Sequence, residues 1–117
     1  MRFVVLCYDN QEEILAWSAE KDAQVMQQLG AVNDRLDAAG KLGPVVRLAD
    51  TAKAKTIRKG KQAVITDGPF AETKEQLLGF YIVEAETIDE ALSIGKDLAA
   101  ASGSAGAFEI RPLIYYR

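Results

Sequence analysis

The chain contains no histidine and a single cysteine. Without histidine there is no histidine-based catalytic triad, no imidazole metal ligand, no phosphohistidine, and no imidazole to shuttle protons near neutral pH. Proton chemistry then falls to carboxylates, tyrosines, lysines or the thiol. The lone Cys7 excludes an intrachain disulfide and a cysteine-based metal cluster within one subunit. It sits in an apolar run, the usual setting of a buried, inert thiol. No apolar stretch approaches the ~20 residues needed to cross a bilayer. The first residues enter a strand pattern directly, without the basic-then-apolar order of a signal segment. A cytoplasmic protein with no membrane partner is therefore expected. Excess positive charge is also missing: 14 basic residues against 17 acidic give a formal charge of −3. That argues against direct nucleic-acid binding, because phosphate backbones demand a clustered basic surface. The local run Lys53, Lys55, Arg58, Lys59 and Lys61 reads as a solvated hairpin tip, with a phosphate- or partner-binding patch as the alternative. Nothing in the pattern calls for a metal or an organic cofactor.

What is present is ordinary globular material: 117 residues, 49% apolar and 26% charged. This fits one domain spanning residues 1–117, with no linker and no internal repeat. Arg2 to Tyr8 is a short run of aromatic and β-branched residues and reads as a strand apolar on both faces. Asp9-Asn10 ends it, and a loop carrying Trp17 follows. Ser18 is placed to cap a helix whose stripe is Val25, Met26, Leu29, Val32, Leu36 and Ala39, with Gly40 as its stop. Gly30 inside that helix is unfavourable by ~1 kcal/mol against alanine; a close approach to the sheet would explain it. Leu42 to Ala49 reads as a second strand. Residues 54–58 and 62–66 make a hairpin around Lys59-Gly60. Gly79 to Ala85 is a strand, and Thr87 or Asp89 caps a second helix lined by Ile88, Ala91, Leu92, Gly95 and Leu98. Ala99 to Ala107 reads as a loop of small residues. Phe108 to Tyr115 is a last strand, interrupted by Pro112 at an edge or bend.

Stripped of the hairpin, the order is βαββαβ, an α+β ferredoxin-like plait with both helices on one face of an antiparallel sheet. In the first strand Phe3, Val5 and Cys7 point one way and Val4, Leu6 and Tyr8 the other. Phe80 and Ile82 alternate likewise with Tyr81 and Val83. Two helices cover only one of these apolar faces, so the other is expected to be sealed by a second copy, giving a homodimer packed sheet to sheet.

The densest local chemistry lies in Asp67-Gly68-Pro69-Phe70-Ala71-Glu72-Thr73-Lys74-Glu75. Asp67-Gly68-Pro69 is a turn by composition. Thr73 with Gln76 fits a capping box for a short helical turn through Leu78. The bland reading is a tight connection between hairpin and strand. The functional reading has Asp67, Glu72, Lys74 and Glu75 converging on a pocket in the sheet with Tyr81. There burial of a carboxyl would raise its pKa enough for acid–base work.

The same segment carries a family resemblance. VITDGPFAETKEQLLGFYIVEA, Val64 to Ala85, resembles the signature of the DGPF family within the YCII-related group. Asp89-Glu90-Ala91-Leu92, Phe108 to Leu113, and Leu36 to Gly40 are consistent with it. The resemblance implies a ferredoxin-like, dimeric α/β-barrel fold. It implies less about activity: relatives are described with a histidine–aspartate site, some act on lactone-type ring-cleavage products, and many DGPF members are encoded beside extracytoplasmic-function sigma factors. The family's first-helix histidine would fall near Leu29, and leucine carries no proton. Two functions are expected in competition. One is a small isomerase or lyase in which Asp67 is the base, Glu72 and Glu75 supply acid or orienting groups, and Lys74, Tyr81 and Arg111 bind the ligand. The other is a ligand-binding or regulatory module, docking on a sigma factor, without catalysis.

Overall fold

The computed structural model describes residues 1–117. Strand β1 (Arg2–Asp9) leads into a short helix α1 (Gln11–Leu15) and then the long helix α2 (Ala19–Ala38). Strand β2 (Leu42–Arg47) and a single 3-10 turn (Thr51–Lys53) precede the hairpin strands β3 (Lys55–Arg58) and β4 (Val64–Asp67). Strand β5 (Gln76–Glu84), helix α3 (Ile88–Ala101) and strand β6 (Ala107–Pro112) complete the chain. The main sheet is antiparallel, in the order β2-β5-β1-β6, and β3 and β4 form a separate two-stranded sheet. This is the strand order of a ferredoxin-like plait with a hairpin inserted before its third strand.

Capping chemistry sets the helix limits. The Ser18 hydroxyl accepts from the Lys21 backbone N–H at 3.1 Å, and the Thr87 hydroxyl from that of Glu90 at 3.1 Å. Gly40 ends α2 with φ of 71°, where a side chain would be strained. Asn10 caps α1, its side chain accepting from the N–H groups of Glu12 and Glu13, so the stretch expected to be loop holds a short helix. Helix α3 runs on to Ala101, which is buried, so small residues read as loop are its last turn.

The core lies between the helices and one face of the sheet. Phe3 and Val5 of β1, Tyr81 and Val83 of β5, Leu36 of α2, and Ala91, Ile94 and Leu98 of α3 pack there. Phe3, Val5, Val83 and Leu98 are the large side chains fully shut off from water. The cross-strand register agrees: Phe3 opposes Val83 and Val5 opposes Tyr81. On the other face Val4 opposes Ile82 and Leu6 opposes Phe80, and none of these four belongs to the core cluster. Val4, Leu6 and Phe80 are only half-buried, with no helix over them. The β6 residues bordering this face are Glu109, opposite Leu6, and Arg111, opposite Val4.

The hairpin is an arm. Ile57 and Ile65 face each other across it, 63% and 67% exposed, and the ion pair Lys55–Asp67 (2.5 Å) shares their face. On the other side the Arg58 guanidinium stacks on Phe70, 5.3 Å from the ring centre. Its base is tied to the body by a reciprocal pair. The Gln11 side-chain amide donates to the Thr51 hydroxyl (2.6 Å), and the Thr51 N–H donates back to Gln11 Oε1 (3.1 Å).

Thr73 does not start a helical turn. Its hydroxyl donates to the Glu75 carbonyl, and the Gln76 side-chain amide donates to the carbonyls of Ala71 and Thr73. Those bonds fold residues 71–75 into a turn, and β5 begins at Gln76. The capping-box expectation fails because the hydroxyl and amide donate to carbonyls instead of serving the free N–H groups of a helix start.

Candidate functional site

The sequence-derived site residues do not meet in one place. Asp67 is at the end of β4, exposed and paired with Lys55. Glu72 and Lys74 are exposed and border a polar hollow of about 350 Å³ with Gln11, Thr51 and Gln76. Lys74 and Glu75 border a second hollow, of about 630 Å³, beside Tyr8, Asp9 and Gly106. Arg111 is exposed on the edge strand β6, 3.9 Å from Glu109. Tyr81 is buried on the helix face of the sheet.

Tyr81 instead lines a cavity of about 240 Å³ between α2 and the sheet. Its walls are mostly apolar and include Ile14, Trp17, Val25, Met26, Leu29 and Phe108. Strand β5 supplies Leu78, Gly79 and Tyr81, and β2 supplies Val45, Val46 and Arg47. Two glycines decide its shape. Gly79 is forced: a Cβ there would collide with the Val46 carbonyl, so the absence of a side chain lets β2 and β5 pair at this point. Gly30 is the opposite case. A Cβ at Gly30 would meet nothing within 4 Å, so no close approach to the sheet requires it. The residue borders the cavity, and its missing side chain leaves that volume empty. Leu29, where the resemblance implies a histidine, is on the same wall.

The polar end of the cavity is built around Asp9, a charged side chain only 8% exposed. One carboxylate oxygen accepts from the Ser104 hydroxyl and the other from the Asn10 N–H at 2.9 Å. The loop after α3 reaches Asp9 because Gly106 has no side chain; a Cβ there would strike the Tyr8 carbonyl and Asp9 itself. Asp9 borders both this cavity and the hollow that holds Lys74 and Glu75. Cys7 also lines the cavity, with its thiol pushed up to about 12, first by burial and then by the Asp9 charge. Burial, followed by Cys7, raises the pKa of the Tyr81 phenol as well. At neutral pH both groups keep their protons, so neither is a nucleophile and Tyr81 is a hydrogen-bond donor.

Sequence reasoning reaches Tyr81 and misses Asp9, which in the sequence marks only the end of a strand. The available signal was a carboxylate continuing the strand that the helices cover. A second was Gly30, a helix-interior glycine that propensity alone does not favour.

Comparison with known proteins identifies the family of the chain. The YCII-related domain matches residues 1–117. An uncharacterized protein of Rhizobium meliloti (strain 1021) is 48% identical over 118 residues, covering 100% of this chain and 95% of the relative. With the whole chain matched, and nearly half its positions shared with that relative, the protein belongs to the YCII-related domain family.

Proposed function

We propose that this protein binds a small, predominantly apolar molecule in the cavity between α2 and the sheet. The observation that carries the reading is Gly30: the helix forgoes about 1 kcal/mol of propensity at a position where an alanine would fit, and the space so left is part of the cavity. Apolar walls with a few convergent polar groups are the usual make-up of a ligand pocket. Trp17, the single tryptophan, lines it, so its indole N–H resonance reports occupancy without ambiguity. Titration with small aromatic probes should move that resonance in the wild type, and Gly30→Leu, which fills the space, should abolish the response. If Gly30→Leu responds like the wild type, the pocket is elsewhere.

A catalytic reading, of isomerase or lyase type, rests on Asp9 and Tyr81. A buried carboxylate and a protonated phenol on one cavity form a base-and-acid set. Asp9→Asn would then abolish turnover while leaving probe binding in place. Asp67, Glu72 and Glu75, all exposed in a single subunit, would join a site only where a second subunit closes over them. The half-buried Val4, Leu6 and Phe80 on the helix-free face support a homodimer of the dimeric α/β-barrel type. The Val64–Ala85 likeness supports the DGPF branch of the family. The regulatory alternative uses the same cavity without chemistry, and exposed Lys55, Arg58 and Lys59 on the arm would be its docking surface for a sigma factor. Co-purification of such a factor, lost on reversing those charges, tests it.

A further inference from the structure

Several polar groups on the cavity wall are already committed; the Asp22 carboxylate and the Trp17 indole N–H are not, but they belong to half-buried residues, whereas Tyr81 is buried. Both Asp9 oxygens are engaged, by Ser104 and by the Asn10 N–H. The Cys7 thiol donates to the Val5 carbonyl at 3.7 Å. Asn33 Oδ1 has no partner, but it is screened from solvent and so out of reach of a molecule in the cavity. Tyr81 is different. It is buried, its hydroxyl makes no hydrogen bond within the chain, and its oxygen is not among the sealed, unpaired atoms. The hydroxyl is thus accessible, on a residue that lines the cavity, and has a proton to give.

We infer that the cavity takes an uncharged one-ring molecule bearing a carbonyl group, with the Tyr81 hydroxyl donating to the carbonyl oxygen. This rests on the ligand-binding reading above and adds the chemical class. Size fixes the scale: an apolar cavity of about 150 Å³ accommodates benzene, so 240 Å³ holds one ring and a short substituent. Charge excludes an anion. Asp9 and Asp22 line the wall against Arg47 alone, and the side of the cavity at Cys7 and Tyr81 is a setting in which a thiol and a phenol both resist ionising. The same desolvation and the same carboxylate oppose a bound carboxylate. A purely hydrocarbon ligand would leave the Tyr81 proton without an acceptor, which is the costly half of a broken hydrogen bond.

Acetophenone, cumene and benzoate have nearly the same shape and differ in one group: a carbonyl, an isopropyl and a carboxylate. Each is titrated against wild type and Tyr81→Phe at pH 7, following the Trp17 indole resonance. Tyr81→Phe should weaken acetophenone about tenfold, the scale of one hydrogen bond in a dry site. It should leave cumene unchanged or tighter, and benzoate should bind more weakly than acetophenone to the wild type. Retained shift dispersion confirms that the variant is folded. If cumene binds and the Tyr81→Phe change moves acetophenone and cumene equally, the pocket stands and the carbonyl inference falls. Benzoate as the tightest of the three overturns it too. If none of the three perturbs Trp17, both this inference and the ligand-binding reading are lost.

Discussion

The hydroxyl of Ser104 donates to the carboxylate of Asp9 across 95 residues of sequence. That bond fastens the loop after α3 to the end of β1, and so closes the polar end of the cavity. A hydrogen bond to a buried carboxylate contributes about 1.5–3 kcal/mol, and its loss leaves the acceptor short of a partner. Ser104→Ala should therefore lower the urea midpoint by an amount corresponding to about 1–3 kcal/mol, with the m-value unchanged. A midpoint within error of wild type would mean that water replaces the hydroxyl without cost and that Asp9 is less enclosed than described.

Glycine substitutions in the two walls should act with opposite sign. Gly30→Ala adds a methyl where nothing lies within 4 Å and removes a helix-interior glycine. It should stabilise by about 0.5–1 kcal/mol. Gly79→Ala adds the same methyl against the Val46 carbonyl, on a strand paired on both sides. It should destabilise by ~1–3 kcal/mol through strain or loss of β2 pairing. Thermal melts of the two variants, side by side, test the opposite signs, and a destabilised Gly30→Ala would contradict the open space at that position.

The fold was legible where local chemistry and burial agree. Ser18 and Thr87 cap helices as their spacing indicates, and the alternation of Phe3, Val5 and Cys7 against Val4 and Leu6 gives the two faces of β1. The site was not legible in the same way. Its parts come from the end of β1, the middle of α2, β2, β5 and the loop before β6, and no short window brings Asp9, Gly30, Tyr81 and Ser104 together. The conspicuous segment, Asp67 to Glu75, drew attention because turn residues and ionisable residues both concentrate in exposed connections. Asp9 was hidden for the converse reason: one carboxylate after an apolar run looks like punctuation until Ser104 is brought to it.

Cys7 makes alkaline stability measurable. Its pKa rises from 9.0 to about 12 on folding. A raised pKa on an acidic group means that the folded state favours the protonated form. Its contribution is fully present below pH 9, where both states are protonated, and is lost as the unfolded thiol ionises between pH 9 and about 12. Tyr81 shifts in the same direction and adds to the loss above pH 10. Wild type should therefore lose stability from pH 9 upward more steeply than Cys7→Ala. Native Cys7 should also alkylate at pH 8.5 far more slowly than the urea-unfolded chain, since the thiolate is the reactive form. Equal alkylation rates in the two states would show that the thiol is not shielded by the sheet and α2.

The helix-free face of the sheet gives the last prediction. Leu6 and Phe80 oppose each other at the centre of that face, with Val4 beside them, and none of the three packs into the core. An apolar surface of this kind on a flat body, 19 Å along its shortest axis, is stabilised by a second copy more readily than by water. The arm points the same way, because an isolated two-stranded hairpin is marginally stable in water and this one exposes Ile57, Ile65 and Phe70. Sedimentation equilibrium at micromolar concentration should give a dimer. Leu6→Glu, which places a charge on the outer face and leaves the inner core untouched, should give a folded monomer with wild-type helix content. A wild-type monomer would remove the enclosure on which any role for Asp67, Glu72 and Glu75 depends, and would confine the chemistry of this protein to the cavity at Asp9 and Tyr81.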